Sequence, residues 1–216
     1  MKSDMENNMK YNAHQIESLK AIWKDGFGDD DADIDFFFEN AYAPEKTAVI
    51  DCGGRPVSAM YLLEGILLPA SGHAAETETA SESADKDEGR FLKVTYLYAL
   101  ATLKEYRGQG IGKATVRAAA ELAFARGADV VALTPGNGRL KEWYQNDGFL
   151  GESVNGERAA VSPVFPEEYL KLFEAYNGNR DVYNPASGSR DVCDTVIFET
   201  APGVKCPDFF WGAMMG

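Results

Sequence analysis

Thr102-Leu103-Lys104-Glu105-Tyr106-Arg107-Gly108-Gln109-Gly110-Ile111-Gly112-Lys113 is the stretch around which the chain is organised. In front of it, Phe91 to Leu103 is an apolar, aromatic run that reads as a buried strand. Behind it, 110–126 is rich in alanine and free of proline. It predicts a helix with Ile111, Thr115, Ala119, Leu122 and Ala123 available to a core face and Gly127 as its cap. A strand, a glycine-rich turn and a helix N-terminus in succession make an anion site. The first amides of a helix have no carbonyl partner, and its dipole turns a positive end to the same place. Gly108, Gly110 and Gly112 remove the Cβ atoms that would hold a phosphate off the backbone. Arg107 and Lys113 add positive charge to an otherwise acidic chain.

Two phosphate loops are excluded. A Walker A loop needs Ser or Thr after its lysine, and Ala114 follows Lys113. A dinucleotide fingerprint needs Gly-x-Gly-x-x-Gly, and the spacing of Gly108, Gly110 and Gly112 differs from it. The 216 residues suit one domain, 1–216, with length enough for a sizeable core. A net charge of -13 argues against a nucleic-acid partner and fits a cationic one. Cys52, Cys193 and Cys206 are odd in number and lack metal-binding spacing, so they read as free thiols in a reducing cytoplasm. The polar start, Met1 to Lys10, does not resemble a signal peptide, and no apolar run reaches membrane-spanning length. The expectation is a cytoplasmic protein without membrane or metal.

Elsewhere the pattern changes along the chain. Ile16, Leu19 and Trp23 recur at helical spacing up to Gly26 and Gly28, and Ile34, Phe37, Phe38 and Tyr42 form a second helical face. Asp29, Asp30 and Asp31 stand where they would cap that second helix. Thr47 to Cys52, the turn Gly53-Gly54 and Pro56 to Leu68 predict a β-hairpin. Segment 71–90 carries Glu76, Glu78, Glu82, Asp85, Asp87 and Glu88 with no aromatic residue, and reads as a mobile acidic insertion. His73 lies in it and His14 on the first helix, neither well placed for catalysis. Asp129 to Leu133 predicts the next buried strand and 138–147 a helix ending before Gly148-Phe149. That order implies a right-handed crossover between parallel neighbours. The extension 151–216 predicts a hairpin across Asn155-Gly156, a helix from Pro166, a strand over Val192 to Thr200, and an apolar end at Phe209, Phe210 and Trp211 that either docks on the core, the favoured reading, or waits for a partner.

Arg107-Gly108-Gln109-Gly110-Ile111-Gly112, between a strand and a helix, resembles the acyl-CoA pyrophosphate loop of the GNAT superfamily of N-acetyltransferases. A second signature matches too. Asn137 stands near the start of the following helix, Tyr144 nearly two turns on, and Gly148-Phe149 after it. The phrase Tyr98-Ala99-Leu100-Ala101-Thr102 with Tyr106-Arg107-Gly108 also resembles the enhanced intracellular survival branch of the superfamily. The resemblance implies an α/β (α+β) fold. Its central sheet is mixed and mostly antiparallel, has a splayed parallel strand pair, and is flanked by helices.

The resemblance further implies acetyl-CoA as co-substrate, held by Leu100, Ala101 and Thr102 along its pantetheine arm and by Arg107, Gly108, Gln109, Gly110, Ile111, Gly112 and Lys113 at its pyrophosphate. Asn137 would bond the arm and Tyr144 would protonate the departing thiolate. The acetyl group would pass, by direct attack in a ternary complex, to a primary amine of a small molecule or peptide. The enzyme would work as a monomer or homodimer. Asn137 has a plainer reading as a helix cap, Tyr144 as a core residue, and Arg107 as the partner of Glu105 or another surface acid.

Many relatives carry a glutamate on the central strand to take the proton from the amine. Here 91–103 has no carboxylate. Water relayed by Tyr98 or Tyr96, or a carboxylate from another segment, remain as bases. Because of that departure a non-catalytic acyl-CoA sensor stands as the alternative function.

Overall fold

The computed structural model describes residues 2–69, 91–154, 161–164 and 195–204. The acidic insertion at 71–90 with His73, Cys193, Cys206, the turn at Asn155-Gly156, the helix expected from Pro166 and the apolar end at 209–211 lie outside the described residues. The chain order is α1 (Lys2–Phe27), α2 (Asp31–Asn40), β1 (Thr47–Cys52), β2 (Arg55–Pro69), β3 (Leu92–Thr102), α3 (Ile111–Ala125), β4 (Val130–Leu133), α4 (Gly138–Gln145), β5 (Gly151–Val154), β6 (Val161–Val164) and β7 (Thr195–Thr200).

The strands form a seven-stranded mixed sheet with hydrogen-bonded order β1-β2-β3-β4-β7-β5, and β6 pairs with β2. The β3–β4 pair is parallel, whereas β1–β2, β2–β6, β4–β7 and β5–β7 are antiparallel. The fold expected from the sequence is the one found. Strand β5 pairs with β7, and the next described strand, β6, pairs with β2.

The described residues fall into two compact units, drawn from 1–63 with 97–125 and from 64–96 with 126–216. In the first unit α1 and α2 bury Leu19, Trp23, Ile34 and Phe37 of the expected faces, together with Ile22, while Ile16, Phe38 and Tyr42 are half-buried. Helix α1 begins well before that apolar pattern, because 2–13 holds neither proline nor glycine to stop it. Asp30 caps α2, accepting from the Asp33 N–H at 2.9 Å, and Asp29 instead accepts from Trp23 Nε1 at 2.7 Å. Gly26 lets the end of α1 close on β3, since a Cβ there would stand 2.7 Å from the Ala101 Cβ. Helix α3 packs on β1 and buries Thr115, Val116, Ala119, Ala120 and Ala123, a stripe small enough for close approach.

Tyr61 of β2 sits in this core with its ring against Trp23, Phe37, Phe38 and Tyr42. Its hydroxyl is buried and makes no hydrogen bond among the described residues. A buried hydroxyl without a partner forfeits its hydration for nothing, at a cost of roughly 1–3 kcal/mol. Tyr61→Phe is therefore expected to raise the melting temperature by a few degrees, about 2–4 °C per kcal/mol at this chain length. A fall on thermal denaturation would show that the hydroxyl has a partner.

In the second unit β4 is buried at all four positions, Val130 to Leu133, as its unbroken apolar run requires. Asp129 fixes its start: its N–H donates to the Lys93 carbonyl at 2.8 Å, and its carboxylate accepts the Lys93 N–H at 2.8 Å. From there the parallel ladder runs Val94–Val130, Thr95–Val131, Tyr96–Ala132. It stops at Tyr96, while β3 continues to Thr102.

Candidate active site

The first unit holds the glycine loop. A 3-10 turn, Lys104–Tyr106, leads out of β3, and Gly108 and Gly110 follow with φ of 75° and 80°. That left-handed region costs a side-chain-bearing residue roughly 1–2 kcal/mol, so the glycines are needed for the turn itself as well as for access. No atom lies within 4 Å of where a Cβ would stand on either. The first intrahelical bond of α3 is Ala114 N–H to the Gly110 carbonyl, 3.0 Å. The amides of Ile111, Gly112 and Lys113 therefore belong to the open first turn, beside an exposed loop. Gln109 closes the loop on itself, its Nε2 donating to the Glu105 carbonyl at 3.0 Å.

Arg107 is placed differently from a free phosphate-seeking cation. Its Nε donates to the Thr102 carbonyl at 2.7 Å, and its Nη2 donates to the Asp25 carboxylate at 2.7 Å and the Asp25 carbonyl at 3.0 Å. The same carboxylate accepts the Lys104 N–H at 2.8 Å. Asp25, at the end of α1, thus braces both shoulders of the loop and offsets part of the Arg107 charge. Nothing local in the sequence marks Asp25, because its partner is 82 positions away.

In the stretch Leu100-Ala101-Thr102 two carbonyls already accept intramolecular bonds: that of Ala101 from the Ser58 hydroxyl at 2.9 Å, and that of Thr102 from Arg107. Just before it, Ala99 has φ of 52° and is the one non-glycine with positive φ among the described residues. An alanine held in this region is strained and persists only where its surroundings impose it. Sequence reasoning had no means to find it, since alanine carries no preference for that conformation. Tyr98 lies among aromatic rings of the same unit, with centroids 5.8 Å from Trp23 and 5.6 Å from Phe37.

The second unit holds Tyr96, Asn137 and Tyr144. Asn137 is the N-cap of α4, its Oδ1 accepting the Leu140 N–H at 3.0 Å. That bond orients the amide, since only the oxygen can accept, and leaves Nδ2 as a donor. Tyr144 is buried in α4, with its ring 4.8 Å from Trp143 and 6.0 Å from Phe149. Burial, and secondarily Tyr96, push its phenol above the ordinary tyrosine range, so it stays protonated at neutral pH. Tyr96 is buried too, and its hydroxyl accepts the Thr134 N–H at 3.2 Å. Of the two relay tyrosines, Tyr96 therefore shares its unit with Tyr144, and Tyr98 shares its unit with the glycine loop.

A model of the Acetyltransferase (GNAT) family matches residues 16–149. The chain belongs to the GNAT acetyltransferase family. The match runs through residues of both units, Asp25 and Tyr144 among them. Among solved structures, the chain is similar in fold to Eis1 from Mycobacterium abscessus, with 12% identity, a TM-score of 0.52, and coverage of 77% of this chain and 46% of that one. A GCN5-related N-acetyltransferase from Kribbella flavida gives 17% identity and a TM-score of 0.48 over 66% of this chain and 32% of that one. A GNAT family acetyltransferase from Brucella melitensis, solved with acetyl-CoA, gives 12% identity and a TM-score of 0.46 over 72% of this chain and 92% of that one. The chain thus spans less than half the length of the first two of these relatives. No curated protein sequence matches it. Among the described residues no helix is long and apolar enough to cross a membrane, and no cluster of three or more His, Cys, Asp or Glu side chains is poised to hold a metal ion.

Proposed function

We propose that the chain transfers the acetyl group of acetyl-CoA to a primary amine. The observation that carries this reading is the exposed glycine loop running into the open first turn of α3. Backbone amides at a helix N-terminus suit a pyrophosphate, and no side chain stands in the way at Gly108 or Gly110. Lys113, exposed on the first turn, adds charge, and Arg107 contributes mainly by shaping the loop.

In the proposed reaction the acceptor's ammonium first loses a proton. The neutral nitrogen attacks the thioester carbon, a tetrahedral oxyanion forms, the C–S bond breaks, and CoA departs as a thiolate that ends protonated. Tyr144 is the donor to that sulfur, and Asn137 Nδ2 donates to the pantetheine arm. Tyr96, whose hydroxyl accepts the Thr134 N–H, is the group proposed to relay the ammonium proton to solvent. The strained backbone at Ala99, with φ of 52°, marks the stretch of β3 from which a main-chain N–H is proposed to meet the oxyanion. An acidic chain with net charge -13 favours a cationic acceptor, free or on a peptide.

The test is release of free CoA thiol from acetyl-CoA with a panel of polyamines, aminoglycosides and lysine peptides. Turnover with any amine supports the transferase. Tight acetyl-CoA binding without release under every acceptor would instead support the sensor, and no binding at all would overturn both.

A further inference from the structure

Ser58 lies on β2 and is wholly buried, with no charge to neutralise and no strand bond to make through its side chain. Its Oγ nevertheless has three partners: the Ala101 carbonyl at 2.9 Å, Thr102 Oγ1 at 2.8 Å and Thr115 Oγ1 at 2.7 Å. A hydroxyl has one proton and two lone pairs. The carbonyl cannot donate, so the Ser58 proton goes to Ala101. Thr102 Oγ1 can donate to one of the lone pairs left on Ser58, and Thr115 Oγ1 divides its single proton between Ser58 and the Ile111 carbonyl at 2.9 Å.

Those partners are the two ends of the glycine loop. Ala101 and Thr102 close β3 in front of it, and Thr115, also fully buried, belongs to the start of α3 behind it. Next to Ser58, the Val57 carbonyl accepts the Leu103 N–H at 2.9 Å and holds the loop's first residue. Gly112 completes the closure, since a Cβ there would stand 3.4 Å from Thr102 Oγ1. The exposed Asp25–Arg107 brace holds the loop from outside and weakens in salt. The Ser58 hub holds it from inside, where the bonds are shielded from water.

We propose that Ser58 is a positioning residue that staples both ends of the glycine loop, so that the amides of 110–113 are preorganised for the CoA pyrophosphate. The inference rests on the acetyl-CoA reading above. It makes a demand that a merely structural serine does not. Loss of the hub should weaken ligands that carry the pyrophosphate and spare those that lack it.

The experiment measures calorimetric affinity for CoA and the KM for S-acetylpantetheine, which has no pyrophosphate, in wild type and Ser58→Ala. The expected result is a CoA Kd raised about tenfold or more, the scale of one to two lost buried hydrogen bonds, with the S-acetylpantetheine KM unchanged. A folded Ser58→Ala that binds CoA like wild type overturns the staple, as does equal weakening of both ligands. Should Ser58→Ala fail to fold, Thr115→Val keeps the side-chain shape and removes one arm. It is expected to weaken CoA in the same selective way, and an unchanged Kd there is equally fatal. Failure of wild type itself to bind CoA would sink the acetyl-CoA reading, an outcome distinct from failure of the staple alone.

Discussion

Gly110→Asp is expected to lower acetyl-CoA affinity at least about a hundredfold while leaving the protein folded. Position 110 has φ of 80°, and nothing stands within 4 Å of a Cβ built there. Aspartate is among the few side chains that enter this region, so the backbone strain is roughly 1–2 kcal/mol and local. The new carboxylate would lie beside the amides of α3's first turn, where a negative charge suits the helix dipole and stabilises the fold. The same charge repels a pyrophosphate from the cradle that would bind it. Stability and affinity should therefore move apart, which general damage cannot do. Gly110→Asn separates the causes further: it carries the same backbone strain without the charge, and its affinity should fall much less. An aspartate variant that binds acetyl-CoA as wild type does would remove the loop from the binding site.

The loop was legible in the sequence because its chemistry is local. Glycines at 108, 110 and 112, a strand before and an alanine-rich helix after, are all within one short stretch, and periodicity identifies each part. The same holds for α4, where Asn137 and Tyr144 lie on one helix; the structure adds that Asn137 also caps it. What held no signal was everything made by closure of the chain. Asp25 meets Arg107 across 82 positions, and Ser58 meets Thr102 across 44. Neither Asp25 nor Ser58 differs, as a letter, from a solvated acid at the end of a helix or a polar residue in a strand.

Strand partners and backbone strain follow the same division. Nothing local to β5 marks β7, the last described strand, as its partner. Ala99 could not have been foreseen, because its strained φ is imposed by what surrounds it. Arg107 shows how the two kinds of information combine. Its place in the motif is local, but the direction of its guanidinium is decided by Asp25, to which its Nη2 donates.

Tyr144→Phe is expected to lower kcat roughly ten- to a hundredfold, with acetyl-CoA affinity nearly intact. The substitution keeps the ring and its contacts with Trp143 and Phe149, so packing changes little. It deletes one proton donor. The direction of the phenol's shift says how that donor works. Burial, and Tyr96 beside it, hold the phenol above its ordinary range of about 10, whereas a cysteine-like thiol titrates near about 8.5. Complete transfer from this phenol to a thiolate is therefore uphill. What Tyr144 can supply is a hydrogen bond that strengthens as charge gathers on sulfur, with solvent delivering the proton once the thiolate has left. A bond to a charged acceptor is worth roughly 1.5–3 kcal/mol, which sets the expected rate loss. The pH profile gives an independent check. A group whose folded pKa is raised keeps its proton above its usual range, so ionisation of Tyr144 should cause no fall in the wild-type kcat up to about pH 10. A Tyr144→Phe variant that turns over at the wild-type rate, where chemistry limits, would make this tyrosine a packing residue of the second unit. A wild-type rate that dropped through pH 8–9 together with loss of the Tyr144 proton would reverse the sign of the shift on which the hydrogen-bond role depends.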